Sequence, residues 1–350
     1  MLALYFRNLT LILFIVVLLL SGLLQADQKL SGYCKTEAGM ETNILESDST
    51  SQNSFTTPAL ANLHFYLNKR RLNFNINATG GLLAYDYRPE NKATLNISAQ
   101  ANYTVSRKFF LASTVNSFQK WWLEQDYAYY NTDWLIGGGL NLSHWNPSLS
   151  IILSQNLFRH SSSLDNHRIG GLVEISSSLN PSLTFSAQSG YSQIDYLHRP
   201  LFSVENSVLD TTARQKDLLF FGQIGLEHRR QALSGVRLKI ITVVSNNDYS
   251  EYYGVGLNYY LSGKIGRVYC QVIADVLLKK YRADLNQYFL YYNPDPEQNI
   301  QNQLLVGWEL PLWKNLALTG RAAIIRNETH YSGIYYNKWF ISGGLIYRKN

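Results

Sequence analysis

The sequence predicts an all-β chain, a transmembrane antiparallel up-and-down β-barrel of about 14 strands, within a range of about 12 to 16, after a cleaved N-terminal signal peptide. Three observations predict it. Apolar and polar residues alternate over long stretches, charged residues are only 16% of the 350 against about 25% in an average soluble protein, and short polar turns alternate with longer connections.

The alternation is clearest between Leu95 and Val105. Leu95, Ile97, Ala99, Ala101, Tyr103 and Val105 interleave with Asn96, Ser98, Gln100, Asn102 and Thr104, the period of a strand with one greasy and one uncharged polar face. Ser106 to Lys108 turns the chain, and Phe109, Leu111 and Val115 restart the pattern toward the aromatic cluster Phe118, Trp121, Trp122. A strand of about ten residues with these two faces suits lipid outside and water or side-chain networks inside.

The one continuous apolar run long enough to cross a bilayer as a helix is Leu11 to Leu24, preceded by Arg7 and followed by Leu24-Gln25-Ala26 before Asp27. It reads as a signal peptide over residues 1–26, the alternative being an uncleaved anchor helix. Its removal takes one charge from the formal +6, and the basic residues are scattered, so nucleic acid is not an expected partner. Residues 27–58, rich in Ser, Thr, Glu and Asn, read as a flexible periplasmic segment or as material that plugs the lumen. The barrel is expected over 59–350. Cys34 follows Tyr33, which argues against a lipoprotein anchor, and Cys270 falls on an apolar strand face, so no disulfide is expected.

From Leu60 the pattern recurs to the C-terminus. Leu72, Phe74 and Ile76 lead to an expected turn at Thr79-Gly80-Gly81. Hairpins follow with turns at His144 to Pro147, Asn180-Pro181, Ser262 to Arg267 and Pro311 to Asn315. Between them lie longer connections at Gln119–Asp126, Phe158–Asn166, Asp195–Asp217, Tyr281–Gln298 and Asn327–Tyr336. Short turns on one rim and long loops on the other are the asymmetry of outer-membrane barrels. All eight prolines are expected in the N-terminal segment or in connections, because proline removes a ladder donor.

The final strand, Trp339-Phe340-Ile341-Ser342-Gly343-Gly344-Leu345-Ile346-Tyr347-Arg348, with the hairpins before it, resembles bacterial outer-membrane β-barrel proteins as a class. Val244 to Tyr249 and Arg326 to Tyr331 are more faintly similar to the barrel domains of surface-lipoprotein assembly modifiers. The chain departs from that family in lacking a helical-repeat domain before the barrel and in ending Lys349-Asn350. The resemblance implies residence in the bacterial outer membrane, with its lipid as a partner and a periplasmic or secreted substrate.

Three constellations carry candidate chemistry. His160, Ser162, Asp165, Asn166 and His167 hold the residue types of a hydrolase, yet fall in or beside one predicted loop rather than on a rigid sheet. Tyr288, Tyr291 and Tyr292, near Asp295 and Glu297, form an aromatic loop face suited to contacts. Trp121, Trp122, Tyr127, Tyr129 and Tyr130 read as an interfacial girdle. The third is the inward polar face, where Arg237, Lys239, Asp275, Glu309 and Arg321 are the expected lumen-lining groups. No catalytic residue, metal site or cofactor is assigned, since no phosphate loop, nucleotide fingerprint, zinc-ligand spacing or nucleophile elbow is present. The expected function is a channel or translocation pore, with a closed surface-display barrel and a barrel hydrolase as alternatives.

Overall fold

In lipid no water is present to satisfy a free N–H or C=O, so a sheet that crosses a membrane has to close on itself. The computed structural model describes residues 27–43, 52–159, 162–203, 208–247, 250–282, 302–328 and 335–349. It contains sixteen strands: β1 (Asp27–Glu41), β2 (Ser54–Lys69), β3 (Leu72–Tyr85), β4 (Lys92–Thr104), β5 (Phe109–Trp122), β6 (Ala128–Leu140), β7 (Trp145–Arg159) and β8 (Asn166–Asn180) make one half. The second half is β9 (Leu183–Ser203), β10 (Val208–Arg229), β11 (Ala232–Ser245), β12 (Tyr252–Ile265), β13 (Val268–Tyr281), β14 (Gln303–Pro311), β15 (Leu316–Glu328) and β16 (Tyr335–Lys349). Each pairs antiparallel with its neighbours in sequence, and β1 pairs with β16 to close the barrel. The all-β up-and-down barrel is therefore the observed fold, at the upper end of the expected strand range.

Side-chain parity separates two environments. Ile240, Leu278 and Ile324 are more than 60% exposed on the outside, where their surroundings are acyl chains rather than water. A 14-residue strand at about 3.3 Å per residue and a tilt of about 40° rises about 35 Å, enough to carry an apolar band of about 25 Å. Aromatic side chains mark both edges of that band. Trp121 donates from Nε1 to the Tyr130 hydroxyl at 3.2 Å on one rim, and Trp145 meets Phe185 edge-on at 6.3 Å on the other. Both chain ends of the barrel, Asp27 and Lys349, lie on the rim of the short turns.

The structure corrects several expectations. The segment 27–58 is not a free tail: it supplies β1 and the start of β2. Its outward face is Leu30, Gly32, Cys34, Thr36, Ala38 and Met40, too small and mixed to give the apolar rhythm, while Lys35, Glu37 and Glu41 point inward. Thr79-Gly80-Gly81 continues β3, and the turn falls at Arg70-Arg71, where Arg70 takes a left-handed φ of +41°. Arginine there is not a turn signal. Asp195–Asp217 is mostly strand, since β9 and β10 run on to Ser203 and from Val208.

Pro58, Pro147, Pro200 and Pro311 also lie within strands, each with a visible accommodation or at an end. The β1–β2 ladder skips the positions opposite Pro58 and Thr57 without changing register. Pro200 sits at the register shift between β9 and β10, and Pro311 ends β14. The signal peptide assigned to 1–26 falls outside the described residues. Cys34 and Cys270 are both free thiols.

The closing seam is tight. A Cβ on Gly344 would run into the Thr36 carbonyl and the Glu37 backbone across the β1–β16 pair, whereas one on Gly343 has room, its nearest neighbour lying at 3.7 Å. Gly344→Val should therefore abolish the compact, heat-modifiable band of the folded barrel in unboiled electrophoresis, and Gly343→Ala should keep it.

Candidate functional site: the inner wall

The inner face is built by the alternate residues of every strand, and its mid-strand positions include Asn77, Asn96, Gln100, Glu174, Arg237 and Gln271, all exposed. These groups face inward by register. Their exposure marks solvent-accessible lumen. Asn62 adds a polar ladder across β2 and β3, donating to Asn77 at 2.6 Å and Thr79 at 2.7 Å.

Arg237, Lys239, Asp275, Glu309 and Arg321 all lie on this inward face, and the structure spreads them around it instead of gathering them. Arg237 is held over the Tyr260 ring at 5.5 Å. Asp275 accepts from the amides of Asn258 and Gln303, and Glu309 takes both terminal nitrogens of Arg348. Arg321 pairs with Glu37 at 2.9 Å, donates from Nε to Ser342 at 3.2 Å and stacks over Phe340 at 5.1 Å. Lys239 has no such anchor among the described residues.

Around Arg321 the wall of β1, β15 and β16 carries charges that neutralise one another. Glu37 also pairs with Lys35 at 2.8 Å, and Glu41 pairs with Lys338 at 2.6 Å while accepting from the Tyr85 hydroxyl at 3.1 Å. A cavity of about 200 Å³ opens beside this ladder, bounded by Glu41, Thr56, Tyr85, Arg321 and Lys338. The Glu37 side chain is only 1% exposed, and two cations attend it, as a buried carboxylate requires. A second buried pair, Lys279 with Glu328, is completed by the Tyr281 hydroxyl at 2.5 Å.

The wall from β6 to β11 differs from the uncharged polar face the sequence suggested. Leu135, Ile152, Leu172, Leu219, Phe221, Ile241 and Val243 point inward by register. Ile152, Leu172, Ile241 and Val243 are buried there. Among them stands Arg168, a lumen-facing cation that sequence reasoning passed over. Its signal was available, since Arg168 is flanked by His167 and the outward Ile169, and alternation from Ile169 turns it inward.

At the rim of the longer connections parity also splits the expected girdle. Trp121 and Tyr130 face lipid, but Trp122, Tyr127 and Tyr129 turn inward. Tyr129 stacks on Phe158 at 4.7 Å beside Leu164 and Phe118, and Trp122 meets Tyr127 edge-on at 4.7 Å. Lys120 lies 4.5 Å over the Trp122 ring. This cluster fixes the 3₁₀ turn Ser162–Leu164 to the wall.

Of the hydrolase candidates, Asp165 accepts from the Phe158 N–H at 2.7 Å, and burial pushes its carboxyl above the usual carboxylate range. Asn166 joins Asn156 at 2.9 Å, His167 lies on the outward face of β8, and Ser162 is exposed. These are the roles of a loop anchor. His160 and the aromatic trio Tyr288, Tyr291 and Tyr292 fall outside the described residues.

No protein-family model and no curated protein matches the sequence. Several solved structures show a loose likeness to the chain. A TodX monoaromatic hydrocarbon channel mutant is 10% identical with a TM-score of 0.44, covering 92% of this chain and 90% of its own. A Rhodopseudomonas blastica porin triple mutant is 9% identical with a TM-score of 0.38 over 92% and 100% of the two chains. CdiB from Acinetobacter baumannii is 10% identical with a TM-score of 0.47 over 93% of this chain and 65% of its own. Likenesses this loose add no argument about activity, and the faint similarity to surface-lipoprotein assembly modifiers gains nothing from them.

The buried ladder makes a specific demand. Arg321→Gln leaves Glu37 with Lys35 alone and should destabilise the barrel by up to about 3–5 kcal/mol, the range for a broken buried pair. Adding Glu37→Gln should recover most of the loss, as read from urea unfolding followed by tryptophan fluorescence in lipid vesicles.

Proposed function

We propose that this chain is a bacterial outer-membrane channel, a non-enzymatic barrel that gives small polar solutes a water-filled path across the lipid. The observation that carries the reading is the exposure of Asn77, Asn96, Gln100, Glu174 and Gln271 on the inner face at mid-strand. Hydroxyl, amide and charged groups at that depth need water or a partner, and their exposure supplies the first. A barrel of sixteen strands is of the size that leaves an aqueous channel. The apolar exterior and its two aromatic rims support residence in lipid, and the asymmetry of short turns and longer connections supports the outer-membrane orientation, with Asp27 and Lys349 on the periplasmic side.

Refolded protein in a planar bilayer should give stable, discrete conductance steps that persist when the connection around residues 283–301 is shortened. A folded, heat-modifiable barrel without conductance would overturn the channel in favour of a closed display barrel.

A further inference from the structure

We propose that the short-turn rim of the barrel is a binding surface for anionic phospholipid, with a crescent of exposed lysines and arginines set against the headgroup phosphates of the leaflet on that side. The leaflet concerned follows from the periplasmic orientation proposed above. The binding itself does not depend on an open lumen.

Basic residues that are scattered along the chain are gathered by the fold, because every second connection returns to the same rim. Lys69, Arg70 and Arg71 sit at the β2–β3 turn, and Arg107 and Lys108 at the β4–β5 turn. Arg230, Arg267 and Lys314 occupy the β10–β11, β12–β13 and β14–β15 turns, and Lys349 ends β16 opposite Gly32. All are exposed. The β1–β16 seam joins the two runs, so the cations follow one arc from β10 through β16 and β1 to β5. The turns at 141–144 and 181–182 carry no lysine or arginine, which leaves the sector from β6 to β9 bare.

Among the described residues the protein does not neutralise this arc. None of the cations just named makes an ion pair there. The acids at this rim whose side chains are described are already engaged: Glu227 by Tyr260 and Arg229, Glu309 by Arg348. The opposite rim differs. Its exposed cations Arg159, Lys216 and Arg282 face Asp126, Asp195 and Glu251 at 2.8, 3.6 and 2.9 Å.

Depth selects lipid over a soluble partner. The basic turns are two to four residues long, so their charges stay at the edge of the apolar band. Outward aromatic rings stand beside them, Phe109 after Lys108 and the exposed Trp313 before Lys314. Lys69 pairs with Leu72 on the outward parity of β2 and β3, and Lys349 continues the outward series of Leu345 and Tyr347. A ring in the interface with a cation reaching to phosphate is how such side chains meet headgroups, and the guanidinium fork matches two phosphate oxygens. A soluble acidic protein would cover a compact patch, whereas an arc along the lipid-facing perimeter matches a belt of lipid.

The test uses the full-length barrel refolded into phosphatidylcholine vesicles that carry a trace of spin-labelled phosphatidylglycerol or spin-labelled phosphatidylcholine. The motion-restricted fraction of each label gives their relative association. Phosphatidylglycerol should associate at least about threefold more strongly at low salt, and sodium chloride at about 1 M should bring the ratio close to one. Arg107→Gln, Lys108→Gln and Lys314→Gln together should lower the ratio by about half, and adding Arg70→Gln, Arg71→Gln and Arg230→Gln should abolish the preference. The opposite-rim combination Arg159→Gln, Lys216→Gln and Arg282→Gln should leave it unchanged. A heat-modifiable band checks that each variant is folded, and the first combination decides the matter if the larger one does not fold. No preference in the unmodified barrel, or an equal loss in the opposite-rim combination, would overturn the surface. Anion-selective conductance that the turn variants abolish, without any lipid preference, would assign the crescent to the pore mouth and overturn it too. Lipid preference with no conductance in any form would keep the surface and overturn only the channel.

Discussion

The structure depends on the hydrogen bonds between β1 and β16. In a hydrocarbon surround each unpaired backbone group costs several kcal/mol, so an open edge of fifteen residues is not a small defect but the loss of the fold. Closure there is what permits the other strands to be simple consecutive hairpins. It is also why the seam is built with glycine: at Gly344 the two strands approach too closely for a Cβ. The same demand shapes the proline positions. Pro58 removes one donor from the β1–β2 ladder, and the register runs through the gap unchanged because the pairs on both sides hold it.

Once the barrel is closed, parity decides the chemistry. Every second residue faces acyl chains, so Ile240 and Leu278 are exposed at no cost. The remaining residues face a lumen whose charges are sorted by their neighbours. On the β1, β15 and β16 side they are paired and buried, which makes them parts of the wall. Glu174, Arg237 and Gln271 are exposed and meet water. Arg168 and Lys239 belong to neither group: both are half-buried and make no ion pair among the described residues.

The sequence disclosed the repeating unit well, because Leu95 to Val105 alternate without interruption and a one-residue slip would expose the wrong face. It disclosed β1 poorly. Gly32, Cys34, Thr36 and Ala38 are tolerated against lipid yet carry little apolar signal, so a strand defined by its pairing partners resembled a polar tail. The Arg70-Arg71 turn was hidden for a related reason: the hairpin is fixed by the fourteen-pair register of β2 with β3, and turn chemistry was not needed to specify it. The aromatic rim was read as one girdle, although adjacent residues such as Trp121 and Trp122 face opposite sides. The inward placement of Arg237, Lys239, Asp275, Glu309 and Arg321 follows from alternation alone. Their contacts do not, since Glu37 reaches Arg321 from the other end of the chain and Arg348 reaches Glu309 across the intervening β15.

The most direct test of the account is thiol accessibility along β13 in intact membranes. In a background lacking Cys34 and Cys270, single cysteines from position 268 to 278 are probed with a membrane-impermeant, water-soluble maleimide. Reaction at 269, 271 and 275 with protection at 268, 270, 272, 276 and 278 is the predicted pattern, because the first set faces an aqueous lumen and the second faces lipid. Protection at every position, or the opposite alternation, would contradict the water-filled barrel.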